Sequence, residues 1–142
     1  SGGSTLFIDQ VPGRHRLVAL SAVGERFPLH CTANGKALLA CFSAADAEDL
    51  IDKSVAEHPD YPLKDRARLR KELDTIRKTH IATDLEEHGG GISALGAALL
   101  DVFGRPIAIS IPVPSQRFAE QRSELSRQLL AFRERIKAIV MR

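Results

Sequence analysis

The segment Ile81–Pro114, IATDLEEHGGGISALGAALLDVFGRPIAISIPVP, restricts the fold of this chain more than any other stretch. Its run Ile92–Leu100 is too short and too rich in glycine and alanine for a stable helix, and is bounded by glycines before it and Asp101 after it. Val102-Phe103-Gly104-Arg105 supplies a glycine-containing connection. Ile107–Ile111 then alternates like a strand until Pro112 and Pro114 end it. The pattern predicts a β-hairpin at the centre of a sheet, entered through the acidic stretch Asp84-Leu85-Glu86-Glu87. Strand periodicity predicts Asp84 and Glu86 on one face and Glu87 on the other.

The remaining elements pack around that hairpin. Thr5-Leu6-Phe7-Ile8 is β-prone, Val11-Pro12-Gly13-Arg14 carries a turn signal, and Arg16–Leu20 is a second apolar run, which together predict an outer hairpin. Ser1–Ser4 reads as a linker or scar, leaving residues 5–142 as the folded domain. Thr32 is placed to cap a helix over Ala33–Cys41 whose N-terminus aims at the sheet. Free N–H groups there suit a carboxylate, whereas Gly35 equally suits a helix packed close to its neighbour. Ser43 opens a helix to about Lys53, and Asp65–Thr79 is amphipathic through Leu69, Leu73 and Ile76 with a solvated, charged outer face. From Ser115 to about Val140, Leu125, Leu129, Phe132, Ile136 and Ile139 follow a four-three rhythm. That stripe serves packing on the sheet, with dimerisation as a secondary use.

Whole classes of function are excluded by what the sequence lacks. A length of 142 residues suits one domain, and a net charge of +2 is too small to argue for a nucleic-acid surface. Cys31 and Cys41 form no disulfide framework, which makes a reduced, cytoplasmic setting the default. No apolar run approaches a membrane span, and with no tryptophan and one tyrosine there is no stacking platform for bases. Asn34-Gly35-Lys36 fails as a P-loop, because His30 stands where the first glycine should be and Ala37 replaces the magnesium-holding hydroxyl. The five histidines lack metal-ligand spacing, and Ser110 lies in no nucleophile elbow. No catalytic constellation, cofactor motif or metal motif emerges. What remains is a concave-site argument. Ala33, Ala94, Gly96 and Ala97 leave room for a ligand that Thr32, Asn34, Asp84 and Ser110 could orient, although the same small residues would also allow close helix–sheet packing.

Taken together, the stretches Pro28–Ala40, Ile81–Glu87, Ala94-Leu95-Gly96, Leu99-Leu100-Asp101 and Pro114–Arg117 resemble the effector-binding domain of IclR-type bacterial transcription regulators. The resemblance runs from about Phe7 to the C-terminus, with His80 standing where the family usually has glycine and Leu100 where it favours an aromatic residue or histidine. It implies a GAF-like α/β (α+β) fold, a central antiparallel sheet with helices on its faces. It implies a pocket for a small organic acid, aliphatic or aromatic, lined by Leu17, Leu20, Ala33, Asn34, Asp84, Ile92, Ala94, Ser110 and Pro112. Ala94 replaces a frequent cysteine and Pro112 removes a donor, which favours a larger or more apolar ligand. A homodimeric or tetrameric parent, contacting operator DNA through a helix-turn-helix domain that this chain lacks, is also implied. The rival readings are an enzyme acting on a small acid through Cys31 or the Asp84–Glu87 cluster, and a ligand-free oligomerisation module.

Overall fold

The computed structural model describes the backbone of residues 5–11, 15–21 and 27–141, and the side chains of 27–141. Five strands form one antiparallel sheet: β1 (Thr5–Val11), β2 (His15–Ser21), β3 (Ala82–Leu85), β4 (Ile92–Leu100) and β5 (Pro106–Pro114), in the order β1-β2-β5-β4-β3. The helices are α1 (Ala33–Leu39), α2 (Ala44–Glu57), α3 (Arg66–Thr79) and α4 (Ser115–Val140).

The β4–β5 hairpin occupies the middle of the sheet, as its composition requires. Buried on both faces, it reads as continuous small and apolar residues. Asp101 shapes the connection: one carboxylate oxygen accepts from the N–H groups of Phe103 and Arg105, and Gly104 adopts a positive φ of 75°. β5 ends at Pro114, as expected, but runs on through Pro112. β2 pairs with β5 only from Ile107 to Ser110, so at Pro112 the outer edge of β5 has no strand whose hydrogen bonds a proline would break. β1 and β2 pair as the predicted outer hairpin, whose turn residues 12–14 lie outside the described residues.

Alternation divides the sheet into two faces. Ala82, Ala98 and Ala108 meet Ala37, Leu38, Leu39, Ile51, Leu69, Leu73 and Ile76 from α1, α2 and α3. Leu95, Ala97, Leu99, Ile109, Ile111 and Val113 meet Phe118, Leu125, Leu129 and Ile136 of α4. The helix boundaries follow from caps. Thr32 Oγ1 accepts from the Gly35 N–H, Ser43 Oγ from Asp46 and Asp65 Oδ1 from Arg68. α1 stops at Leu39, short of the expected Cys41, and α2 continues to Glu57, past the expected Lys53. Two further expectations fail. Ile139 is 63% exposed: beyond Ile136 the contact passes to Val140, one turn on, and Ile139 drops out of the stripe. β3 stops at Leu85, so the predicted pairing of Asp84 with Glu86 on one strand face does not form: Glu86 turns away at a positive φ of 60°.

Candidate functional site

The start of α1 rests directly on β4. A Cβ built on Gly96 would stand 2.5 Å from the Ala33 carbonyl carbon and 2.8 Å from the Asn34 nitrogen, so only glycine admits the helix this close. The room expected from Gly96 is therefore filled by backbone, and Ala97 lies on the α4 face, outside any shared pocket.

Beyond the helix start the same sheet face opens into a shelf. The strand register aligns Asp84, Ala94 and Pro112 in one cross-strand row, and Ala82, Gly96 and Ser110 in the next, beside Ala33 and Asn34. Ile92, paired with Pro114, is the outer end and is exposed, as is Pro112, while Ala94 and Ser110 are half-buried. Leu20 is in register with Ala108 and Leu17 with Asp9; their side chains lie outside the described residues. Asp84, Ile92, Ala94, Ser110 and Pro112 thus share one face, with Ala33 and Asn34 forming its inner wall; in β2 the register puts Leu20 in phase with this face, whereas Leu17, three residues earlier, is out of phase with it, contrary to expectation.

The polar groups differ in how far they are committed. Thr32 donates to the Pro28 carbonyl at 2.7 Å while capping α1. The Lys36 N–H goes to the Thr32 carbonyl and the Gly35 N–H to the Thr32 hydroxyl, which leaves the N–H groups of Ala33 and Asn34 unclaimed in the first turn among the described residues. The Asn34 side chain, 9% exposed, and the Ser110 hydroxyl make no hydrogen bond to a described residue. Asp84 is different. Its Oδ1 accepts from the Glu87 N–H at 2.7 Å, closing the turn after β3, and burial pushes its pKa up against the pull of the Glu87 and His88 N–H groups and of Lys36.

Sequence reasoning saw Lys36 only as part of a failed P-loop. It is 1% exposed, and its Nζ donates to Glu72 Oε2 at 2.9 Å and Glu87 Oε2 at 2.7 Å, tying α1 to α3 and to the β3–β4 connection. A lysine among small and apolar residues in a short core helix was the available signal: a buried cation has to find carboxylates, here the partly exposed Glu72 and Glu87. His88 stacks on Tyr61 at 5.0 Å, and His30 bridges Ser54 Oγ at 2.7 Å and the Tyr61 carbonyl at 2.6 Å, so the same connection is also held from the α2–α3 side. The Cys31 thiol is pushed up to about 12 by burial and by the charges of Asp84 and Glu87, which keeps it protonated at neutral pH and removes it as a nucleophile. Among the described residues no cluster of histidine, cysteine or carboxylate groups is arranged to hold a metal ion.

With this geometry in place, comparison with known proteins is decisive. Residues 1–138 match the family described as bacterial transcriptional regulator IclR C-terminal. The chain belongs to the IclR family. It corresponds to the C-terminal, effector-binding domain of an IclR-type regulator, as the resemblance in the sequence implied. The HTH-type transcriptional regulator Rv1719 of Mycobacterium tuberculosis is 44% identical over 92% of this chain and 51% of its own length. The repressor AllR of Escherichia coli is 30% identical over 86% of the chain and 46% of its own length. The chain therefore spans about half the length of the curated relatives it matches. The fold agrees as well. The C-terminal domain of E. coli KdgR superposes with a TM-score of 0.68 at 24% identity, covering 96% of this chain and 85% of that one. The PobR inducer-binding domain from Acinetobacter, solved as a double mutant with 3-hydroxybenzoic acid, superposes with a TM-score of 0.57 at 23% identity over 89% of this chain and 83% of its own. Among the described residues no helix is long and apolar enough to cross a membrane.

Proposed function

We propose that this domain binds a small organic acid on the shelf between the start of α1 and β4–β5, and that occupancy controls operator binding by a dimeric or tetrameric regulator acting in the cytoplasm. The observation that carries this reading is the Asn34 side chain at the start of α1, which sits over the Gly96–Ser110 strand pair and, without a hydrogen-bond partner among the described residues, keeps its amide open to solvent. A donor that solvent reaches can exchange its water for a ligand, and a ligand carboxylate can take the Asn34 amide, the N–H groups of Ala33 and Asn34 and the Ser110 hydroxyl together. Ala94, Ile92 and Pro112 offer an apolar surface for the rest of the molecule, with Leu20 in phase on the adjoining strand. Asp84 acts by holding the turn that borders the shelf rather than by contacting the acid. PobR, with its hydroxybenzoic acid, supports the ligand class.

In the whole regulator, an acid that binds one subunit arrangement better than another shifts the population toward it and changes the spacing of the DNA-reading domains. Sensing needs binding without turnover, and a protonated Cys31 is consistent with a domain that does no chemistry on its ligand. The test is a thermal-shift panel of aliphatic and aromatic acids on this domain, beside Asn34→Ala and Ser110→Ala. An acid present at one hundred times its Kd adds ~2.7 kcal/mol of stability, which raises the Tm by about 4 °C or more in a domain of this size. The expected result is a shift from a subset of acids that both substitutions reduce. No shift from any acid, or one that both variants retain, overturns the reading.

A further inference from the structure

Three of the six cations of α3 have a carboxylate within 3.0 Å: Arg66 and Arg70 pair with Glu48 of α2, Arg66 also with Asp52, and Arg77 with Asp74. Arg68 reaches only Glu72, one turn on in the same helix, at 3.5 Å, and Lys71 has no carboxylate partner among the described residues. They look instead into a groove between α3 and α4 along the open edge of the sheet at β3, a cavity of about 490 Å³ well away from the shelf beside α1.

The groove has two unlike ends. Glu72 and Glu87 share Lys36, so the first half of α3 lies beside the Leu85 end of β3. α4 begins at that same end, where the Ser115 N–H reaches the Gly91 carbonyl at 2.9 Å and Leu85 pairs with Ser93, and it reaches Ala98 only with Arg133. Arg68, Lys71 and Arg122 therefore gather at one end, and Thr79, Ile81 and Leu130 at the other. Among the described residues neither Lys71 nor Arg122 has a carboxylate partner; Arg122 is steadied over the Phe118 ring at 5.6 Å. The lining carboxylate, Glu72, is already committed to Lys36 at 2.9 Å and to Arg68 at 3.5 Å, so the cationic end keeps an excess of positive charge. Ile76 forms an apolar floor, and Thr83 and Ser126 add hydroxyls midway.

We propose that this groove is a second ligand site, for an amphipathic oxyanion with a phosphate or carboxylate head and a short apolar body. The head sits among Arg68, Lys71 and Arg122, where charge-assisted hydrogen bonds from guanidinium and ammonium groups are strongest for an oxyanion. The body lies on Ile76, Ile81 and Leu130, a division of charge and apolar surface that a bare inorganic anion cannot exploit. The volume lies within the range of small-molecule sites.

The experiment is an amide NMR titration of this chain with phenyl phosphate, run in parallel with inorganic phosphate and with phenol. The expected result is a saturable movement of the Thr79, Thr83 and Ser126 resonances, with phenyl phosphate at least about tenfold tighter than either fragment. The double variant Lys71→Met/Arg122→Met, both exposed positions, weakens it by about tenfold or more with the remaining spectrum unchanged. Arg122→Gln alone gives a smaller loss in the same direction. Equal response to inorganic phosphate, movement confined to Ala94 and Ser110, or unchanged affinity in the double variant overturns the proposal. Because this site shares no residue with the shelf, its failure leaves the reading of Asn34 and Ser110 untouched.

Discussion

Asp84 is legible in the sequence as important, while the partners of its carboxylate are set by the turn that follows β3. Its carboxylate, buried to 7% exposure, spends itself on the N–H groups of Glu87 and His88, and burial holds its pKa above the ordinary 3.8. A raised folded-state pKa means that the folded chain binds the proton more tightly than the unfolded one. The associated stability is complete below pH 3.8 and is lost as the pH rises through the folded-state value. Asp84→Asn keeps an acceptor for the Glu87 N–H without that titration. Urea unfolding as a function of pH should therefore show the wild type losing ground to the variant as the pH rises through the carboxylate range. A gap that stays constant with pH would disprove this account. Lys36 gives the complementary lesson. It is invisible to motif reading because its partners Glu72 and Glu87 are 36 and 51 residues away.

At the scale of elements, period and capping predicted the helices and strands, and the errors came where a neighbour decides the length. α4 illustrates this. Its rhythm continues through Ile139, yet the face turned to the core runs from Ile136 to Val140, leaving Ile136 buried and Ile139 63% exposed. Leu129→Ala, which removes a side chain that is 1% exposed between Leu99, Ile109 and their neighbours, should cost about 2–5 kcal/mol. Ile139→Ala should cost less than about 0.5 kcal/mol. Denaturant midpoints for the two variants check the pair, and equal losses would show that α4 packs along its whole apolar stripe. β5 erred in the other direction, continuing through Pro112 because β2 reaches only Ser110.

For the whole molecule, the sheet is the shared wall of two cores, one under α1, α2 and α3 and the other under α4. Both clusters use β4 and β5, so neither can lose its packing without exposing the other. Tyr61, stacked on His88 on the α1 side, should accordingly report the same urea midpoint as far-ultraviolet circular dichroism, to which α4 contributes most among the helices. Separate midpoints would show that the faces melt independently. The sequence alone determined the central hairpin, the helix starts, the α+β class and the family, because period, glycine and proline placement, caps and ordered motifs are local in the chain. Tertiary structure alone decided that Gly96 is filled by the backbone of Ala33, that Asp84 serves its own turn, that Lys36 is buried against Glu72 and Glu87, and that Arg68, Lys71 and Arg122 share a groove. Each of these depends on which distant segments come within a few ångströms, a matter of register and packing that no local pattern encodes.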